Sequence, residues 1–480
     1  MEPAQLFTIA TLGCKVNQYD SAALAHALQA GGLHRGEGDS PADLVVVQTC
    51  CITHVAMRKS RQAIRQAVRR SPGAVVLVSG CYSDYDRAQI RGVLKSLGVP
   101  ESRAIVAGNQ DDVAAAAQQA LHILADEASR SPGGGKKGWM SASESPDSAA
   151  GSSASIRTRR LAAIKNKTPG PSLLGAIERF DGHQRAFVKV QDGCDAFCSY
   201  CVVPYTRPNV RSRPAEQVLA ECRRLVEAGH REIVLCGVFL GAYGRQTALR
   251  RKWDASPPKL PELLRQIAGI DGLWRVRLSS LEPGDVTEQL LAAARELPNF
   301  APHFHLPLQS GSGQVLSRMN RQYTPEEFLS AVRRIRAALD RPALTTDILV
   351  GFAGEGEQQF GETLCVAREA AFSKIHAFPF SPIRGTAGWL MRGDAPPPPV
   401  VRRRMNALAE LEAQMARSYR TLFVGDSLEA VVESGGTAMT DRYFTVHFEA
   451  GGPRPPSAGE VLRLRITGVE EDGARGEPIG

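Results

Sequence analysis

Residues 188–201 read Val188-Lys189-Val190-Gln191-Asp192-Gly193-Cys194-Asp195-Ala196-Phe197-Cys198-Ser199-Tyr200-Cys201. A short apolar run ends at a glycine and predicts a strand. Three cysteines spaced C-x3-C-x2-C follow it, with no fourth cysteine or histidine in the loop. A structural zinc site closes with four ligands, commonly two C-x2-C pairs. A ferredoxin-type cluster takes four cysteines. Three thiolates converging on one point suit instead a [4Fe–4S] cluster with one iron open to another ligand. The plainer readings are three structural thiols, or a zinc site completed by a distant residue.

Working outward, strand-then-helix patterns recur six times. Strands are expected near 187–190, 233–236, 276–279, 304–308, 346–350 and 375–378. Helices are expected between them, at about 214–228, 260–270, 286–297, 325–339 and 358–371. Six repeats fall short of the eight of a closed barrel, so an open (β/α)6 barrel is expected, with its active site at the C-terminal strand ends. The cysteine loop follows the first strand at that end. A helix at about 401–419 closes this region.

The N-terminal part alternates in the same way. Strands at about 6–12, 43–49 and 74–79, and a short one near 105, alternate with helices at about 20–30, 54–70 and 111–127. Such apolar strands predict a parallel sheet covered on both faces. Cys14, Cys50 and Cys81 each follow the C-terminal end of a different strand. In an open parallel sheet those ends share one edge, where ligands bind. The edge is therefore a candidate for a second three-cysteine cluster, the bland alternative being small buried thiols. Cys51 competes with Cys50, and Cys50 is favoured because it follows Gln48-Thr49 directly. On the helix after Cys50, Arg58, Arg61, Arg65 and Arg69 share one face. They are candidates for phosphate contact, against a simply solvated face.

Residues 128–171 are rich in Ser, Gly, Ala and Lys and read as a flexible linker. The last 60 residues suggest short strands at 427–433, 443–449 and 460–466, a small β-barrel of a kind that holds nucleic acids. Net charge is +8 over 480 residues, which suits a polyanionic partner. Residues 421–480 carry five Arg against ten Asp and Glu, so polyanion contact is expected mostly in the first 420. The start lacks a signal-peptide pattern and no run of 18 apolar residues occurs. A cytoplasmic protein with no membrane partner is expected, its cysteines serving as ligands or core residues rather than disulfides. Cys222, Cys236 and Cys365 read as core.

Several stretches together carry a family resemblance: Leu12-Gly13-Cys14-Lys15-Val16-Asn17-Gln18-Tyr19-Asp20-Ser21, Ser79-Gly80-Cys81-Tyr82, Lys189 to Cys194, Val210-Arg211-Ser212-Arg213-Pro214, Arg277-Leu278-Ser279-Ser280-Leu281-Glu282-Pro283, Leu306 to Ser312, and Thr346 to Phe352. With these motifs, in this order, the chain resembles the radical S-adenosylmethionine (SAM) methylthiotransferases along nearly its whole length. The resemblance implies an α/β protein with an N-terminal methylthiotransferase domain (1–127), the linker, a radical SAM core (172–419) and a TRAM-like β-barrel (420–480). It implies SAM and two [4Fe–4S] clusters: Cys194, Cys198 and Cys201 hold the SAM-binding one, and Cys14, Cys50 and Cys81 hold the one that supplies sulfur. Tyr200, Gly237, Glu282 and Gln309 fall where SAM should rest. Gly13–Gln18 and Gly237–Gly244 look like the branch acting on N6-threonylcarbamoyladenosine at position 37 of tRNA. The partners implied are tRNA, an electron donor and a sulfur source, with the chain acting as a monomer. Four departures stand out: Gln48-Thr49-Cys50-Cys51 where Asn-Thr-Cys and a small residue are usual, a linker longer than typical, Phe380 where Tyr is common, and an acidic terminal barrel.

The C2–H bond of adenine is neither acidic nor electrophilic, so acid–base catalysis has little purchase on it. A radical has. Two other readings are kept. One changes the substrate to isopentenyladenosine in tRNA or to a ribosomal protein. The other is a non-catalytic iron–sulfur RNA-binding or electron-transfer protein, disfavoured because both cysteine sets lack a fourth ligand.

Overall fold

The computed structural model describes residues 5–36, 40–129, 177–180, 184–449 and 455–479. The expected linker lies outside these residues, apart from 128 and 129, which end a helix.

The first unit is a five-stranded parallel sheet in the order β2-β1-β3-β4-β5, with β1 Leu6–Thr11, β2 His34–Arg35, β3 Leu44–Thr49, β4 Val75–Gly80 and β5 Ala104–Ala107. The runs LVVVQT and VVLVSG are buried throughout, as a sheet covered on both faces requires. Helices α1 (Lys15–Ala30) and α5 (Val113–Ser129) cover one face through Leu24, Leu28, Ala117 and Leu124. Helices α2 (His54–Arg70) and α4 (Arg87–Ser96) cover the other through Met57, Ile64, Ile90 and Leu94. Between β4 and α4 lies a short helix, α3 (Cys81–Tyr85).

Helix α1 begins five residues before the expected start. Cys14 takes the N-cap position without a capping hydrogen bond from its side chain, so the usual polar start signal is missing from the sequence. The registers Thr11↔Gln48 and Gln48↔Ser79 bring the ends of β1, β3 and β4 level.

The second unit contains the six expected parallel strands: β6 Arg185–Asp192, β8 Glu232–Gly237, β9 Arg275–Leu278, β10 His303–His305, β11 Ala343–Val350 and β12 Lys374–Pro379. They pair as β6-β8-β9 and β10-β11-β12, with single bridges Val276↔Phe300 and Ser280↔His305 joining the two halves. A two-residue strand, β7 Arg211–Ser212, pairs antiparallel with the end of β6. The fourth strand is shorter and earlier than expected because Pro307 lacks a ladder donor. The side left open between β12 and β6 is flanked by α1 of the first unit. There Tyr19 donates to Glu221 (3.2 Å) and accepts from Arg213 (2.8 Å), and Lys189 pairs with Asp20.

Helix Pro398–Thr421 leads to a closed barrel of β13 Ser427–Ser434, β14 Thr437–Thr440, β15 Thr445–His447, β16 Val461–Val469 and β17 Ala474–Pro478. β14 and β17 were not expected from the sequence: ARGEP lacks β-branched and aromatic residues, and TAMT, though half threonine, is only four residues long. This barrel caps the N-terminal end of the large one. Tyr443 stacks on His303 (4.1 Å). Glu433 meets Arg185 (3.1 Å), Asp426 meets Arg341 (2.6 Å), and Glu429 accepts from Trp274 (2.9 Å). Three of the ten acidic residues in 421–480 are thus used in docking onto the base of the large barrel.

At that base Glu232, wholly buried, accepts from Arg277 Nε (2.7 Å) and lies 3.4 Å from Arg275. Burial works against its charge, but the two guanidinium groups hold its carboxyl below the ordinary range. Its stabilising contribution is therefore complete above the unfolded value near pH 4.3, and is lost as pH falls through the lower folded value. Glu232→Gln strands two buried cations and is expected to cost about 3 kcal/mol, read from the urea midpoint at pH 7.

Candidate active site

Three of the candidate cysteines follow a glycine in the left-handed region: Gly13 (φ +106°) before Cys14, Gly80 (φ +96°) before Cys81 and Gly193 (φ +81°) before Cys194. Close approach adds to the backbone requirement. A Cβ on Gly193 would run into the Asn209 carbonyl, and one on Gly80 into the Thr49 carbonyl. These glycines let a strand turn sharply and present the next thiol at its end.

In the first unit, Cys14, Cys50 and Cys81 come together. A Cβ on Gly13 would lie 3.1 Å from Cys50 Sγ. Asn109 Nδ2 donates to Cys81 Sγ (3.3 Å). Burial, with the neighbouring Cys81 and Cys14, pushes the Cys50 thiol up to about 12. Cys51 is buried in the apolar cluster that also holds Val45, Val47 and Cys81. It is Cys50 that lies against the Gly13–Cys14 turn, which favours Cys50 as the third member.

In the second unit, Cys194, Cys198 and Cys201 form the other set. Burial, then Cys198, pushes Cys201 up to about 12. The loop is held from outside. Cys194 N donates to Arg207 O (3.0 Å), Ser199 N to Met319 O (2.9 Å), and Asn320 Nδ2 to Phe197 O (3.0 Å). Phe197 itself has φ +51°, a strained value for an aromatic residue. The two sets face each other closely enough that Cys81 bears on the titration of Cys201.

The donor chemistry fits iron–sulfur clusters. Among the described residues, neither triad gathers its three sulfurs within 4.8 Å of one another. Zn–S bonds of about 2.3 Å would draw them closer than that. An N–H aimed at a thiol sulfur, as from Asn109, is also a feature that tunes such clusters.

Arg321 ties the second triad to the residues expected around SAM. It donates to Cys198 Sγ (3.2 Å) and Tyr200 Oη (3.3 Å) and pairs with Glu282 Oε1 (2.7 Å). Glu282 Oε2 is buried and makes no hydrogen bond among the described residues, but it lies 3.6 Å from the Arg250 guanidinium. Gly237 leaves room for Gln191, whose Oε1 accepts from Phe239 N (2.7 Å) while its Nε2 donates to Gly193 O (2.8 Å). Gln309, with φ +61°, is bound through its backbone to Asp347 and Leu349 at the barrel mouth. Phe380 packs on Phe352, which also meets Tyr200.

The expected arginine face divides. Arg61 is committed to Tyr82 Oη (2.6 Å) and Gln89 (3.2 Å). Arg58 and Arg69 are exposed and Arg65 is half-buried, and none of the three has an ion-pair partner among the described residues. Cys222 and Cys236 are buried as expected, but Cys365 is exposed, on the outer face of helix Glu357–Ala370.

Sequence reading missed Arg207, the most connected charge at the site. It donates to both oxygens of Asp192 (2.9 and 3.1 Å), to Asp20 (2.6 Å) and to Asn17 Oδ1 (3.2 Å). Its six-residue distance from Cys201 is the only local signal. Arg321 has none, being 120 residues downstream.

The family described as the Radical SAM superfamily matches residues 188–365, and the one described as uncharacterized protein family UPF0004 matches residues 6–97. A threonylcarbamoyladenosine tRNA methylthiotransferase, MtaB, of Chlamydia pneumoniae is 32% identical over 481 residues, covering 98% of each chain. Its namesake in Bacillus subtilis is 31% identical, covering 95% of this chain and 92% of its own. A tRNA-2-methylthio-N(6)-dimethylallyladenosine synthase of Cereibacter sphaeroides is 32% identical, covering 100% and 99%. Two cysteine triads facing each other across a barrel mouth, in a chain matched end to end by these enzymes, make it a member of the radical SAM methylthiotransferase family, transferases that use SAM and [4Fe–4S] clusters and act on tRNA.

Proposed function

We propose that the chain methylthiolates C2 of N6-threonylcarbamoyladenosine at position 37, beside the tRNA anticodon. Cys194, Cys198 and Cys201 would hold the SAM-binding cluster, and Cys14, Cys50 and Cys81 the sulfur-donating one. When bound, SAM and the two clusters supply the radical that opens the C–H bond and the methylthio group that replaces the hydrogen. The observation that carries the reading is the opposition of the two triads, one at the sheet edge of each unit, near enough that Cys81 acts on Cys201.

The protein's own residues position and shield. Arg321 and Glu282 fix the rim around Cys198. Arg207 locks α1 to β6, so that the two edges keep their separation. The threonylcarbamoyl branch is favoured by the Gly13–Gln18 motif and by the similarity to the threonylcarbamoyladenosine tRNA methylthiotransferases of Chlamydia pneumoniae and Bacillus subtilis. An isopentenyladenosine substrate is the competing reading, since the dimethylallyladenosine synthase is equally similar. An electron donor and a sulfur source must come from other components.

For tRNA, Arg58, Arg65 and Arg69 offer phosphate contacts beside a cleft of about 530 Å³ lined by Arg58, Tyr85, Arg384 and Trp389. The triple alanine variant is expected to weaken tRNA binding. It should also lower the slope of log affinity against log salt by roughly two to three. Arg61→Ala should change the slope little, because that guanidinium is spent on Tyr82 and Gln89.

The decisive test is nucleoside analysis of tRNA from a deletion strain. Loss of 2-methylthio-N6-threonylcarbamoyladenosine, restored by the gene, is expected. An unchanged level would reject the substrate, and loss of the isopentenyl counterpart would select the competing reading.

A further inference from the structure

The lumen of the large barrel is unusually polar. Alternation along the strands sends Cys236 of β8, Ser279 just past β9, His305 of β10, Asp347 of β11 and His376 of β12 toward the same interior. His305 Nε2 lies 3.3 Å from Asp347 Oδ2, and its Nδ1 lies 2.9 Å from Thr345 Oγ1. Asp347 is in register with His376 on the next strand. The floor is closed by His303 stacked on Tyr443. His305, Asp347 and His376 are each only half-buried, so the space above the floor is open. Two buried polar atoms there, Ser279 Oγ and His303 Nδ1, have no hydrogen-bond partner among the described residues. Ser279 as a whole is 6% exposed.

Lys15 is the first residue of α1, directly after Cys14, and α1 packs against β6 and β8 at the open side of the barrel. Its charge bears on His303, His376 and Cys236, which belong to three different strands. The other cations at the mouth are neutralised: Lys189 and Arg207 by Asp20 and Asp192, Arg321 by Glu282. Lys15 has no carboxylate partner among the described residues.

We propose that this lumen receives the N6 substituent of the target base, with the Lys15 ammonium meeting the threonyl carboxylate and Asp347 accepting from the threonyl hydroxyl. The proposal rests on the threonylcarbamoyl reading above and names the residues that read it. The substituent brings one carboxylate, one hydroxyl and ureido N–H groups. The lumen brings one unpaired cation, one carboxylate and imidazoles that burial keeps neutral, as at His376. A hydrocarbon isopentenyl group would offer no partner to Lys15 or to the buried Ser279 Oγ and His303 Nδ1, and sites with unpaired polar groups discriminate most strongly.

The test measures binding of the full-length, anaerobically reconstituted protein to synthetic anticodon stem–loops by fluorescence anisotropy. The loops carry threonylcarbamoyladenosine, its carboxamide analogue, unmodified adenosine or isopentenyladenosine at position 37. The wild type is expected to bind the carboxylate loop about tenfold more tightly than the carboxamide, a charge-assisted contact. Lys15→Met, a good helix former at a helix start, is expected to reduce that ratio to within about twofold. Lys15→Arg should retain it. A tenfold preference surviving in Lys15→Met overturns the proposal. A wild type that prefers threonylcarbamoyladenosine to adenosine but treats carboxylate and carboxamide alike also overturns it, leaving the substrate reading intact. A wild type that prefers the isopentenyl loop overturns both.

Discussion

Replacing Cys14, Cys50 and Cys81 together by alanine is expected to leave reductive cleavage of SAM in place while methylthiolated nucleoside falls by about a thousandfold or more, a barrier change of about 4 kcal/mol. Replacing Cys194, Cys198 and Cys201 is expected to abolish both. The asymmetry follows from the architecture. The first triad stands on the edge of its own sheet, whose two faces are packed by α1 and α5 and by α2 and α4. Alanine there removes ligands without entering the barrel core. The SAM-side loop is held by Met319, Asn320 and Arg207 through its backbone, so those bonds survive in the first variant. Product formation by the Cys14/Cys50/Cys81 variant would contradict the division of labour, and loss of SAM cleavage would show that the triads do not act separately. Cys51→Ala is expected to retain both activities, because Cys50, not Cys51, lies against the Gly13–Cys14 turn.

The largest stability effect is expected at Arg207. It is 5% exposed, with Lys189 as the second cation against the carboxylates of Asp20 and Asp192. Arg211 stands 3.8 Å from Asp192 as a third, more exposed cation. Taking Arg207 away therefore breaks a buried pair at both carboxylates rather than stranding a net charge, a loss of about 3–5 kcal/mol. Arg207→Met should show that loss in urea unfolding. Because Asn17 and Asp20 lie on α1 and Asp192 on β6, the loss falls on the joint between the two units. Arg207→Lys keeps the charge but cannot span Asp192 and Asp20 with one planar fork, so it should recover only part of the loss. Combining Arg207→Met with Asp192→Asn should also recover part, since the two residues are directly coupled. A Met variant within about 1 kcal/mol of wild type would mean the network does not hold the units together.

The fold was largely legible because its signals are local. LVVVQT and VVLVSG can only be doubly covered strands, and the glycines before Cys14, Cys81 and Cys194 mark turns that no other residue fits. The six barrel strands were each found, within the few residues that ladder pairing decides. The gathering of Cys14, Cys50 and Cys81 was legible because three strand ends each carry one, and that of Cys194, Cys198 and Cys201 because they share one loop. What was hidden depends on contacts distant in sequence. Arg207 and Arg321 matter through partners on other elements, and nothing near Arg321 hints at Cys198 or Glu282. The acidic tail looked like an obstacle to RNA until its carboxylates were seen on Arg185, Arg341 and Trp274 of the barrel base. Cys365 was misread because a thiol on an amphipathic helix gives no sign of which face it takes.

Two clusters per chain are the centre of the proposed chemistry, and iron analysis after anaerobic reconstitution tests them most directly. About eight irons per wild-type chain are expected, with about four in either triple-alanine variant. A wild-type chain that saturates at about four irons, unchanged by the Cys14/Cys50/Cys81 variant, would contradict it.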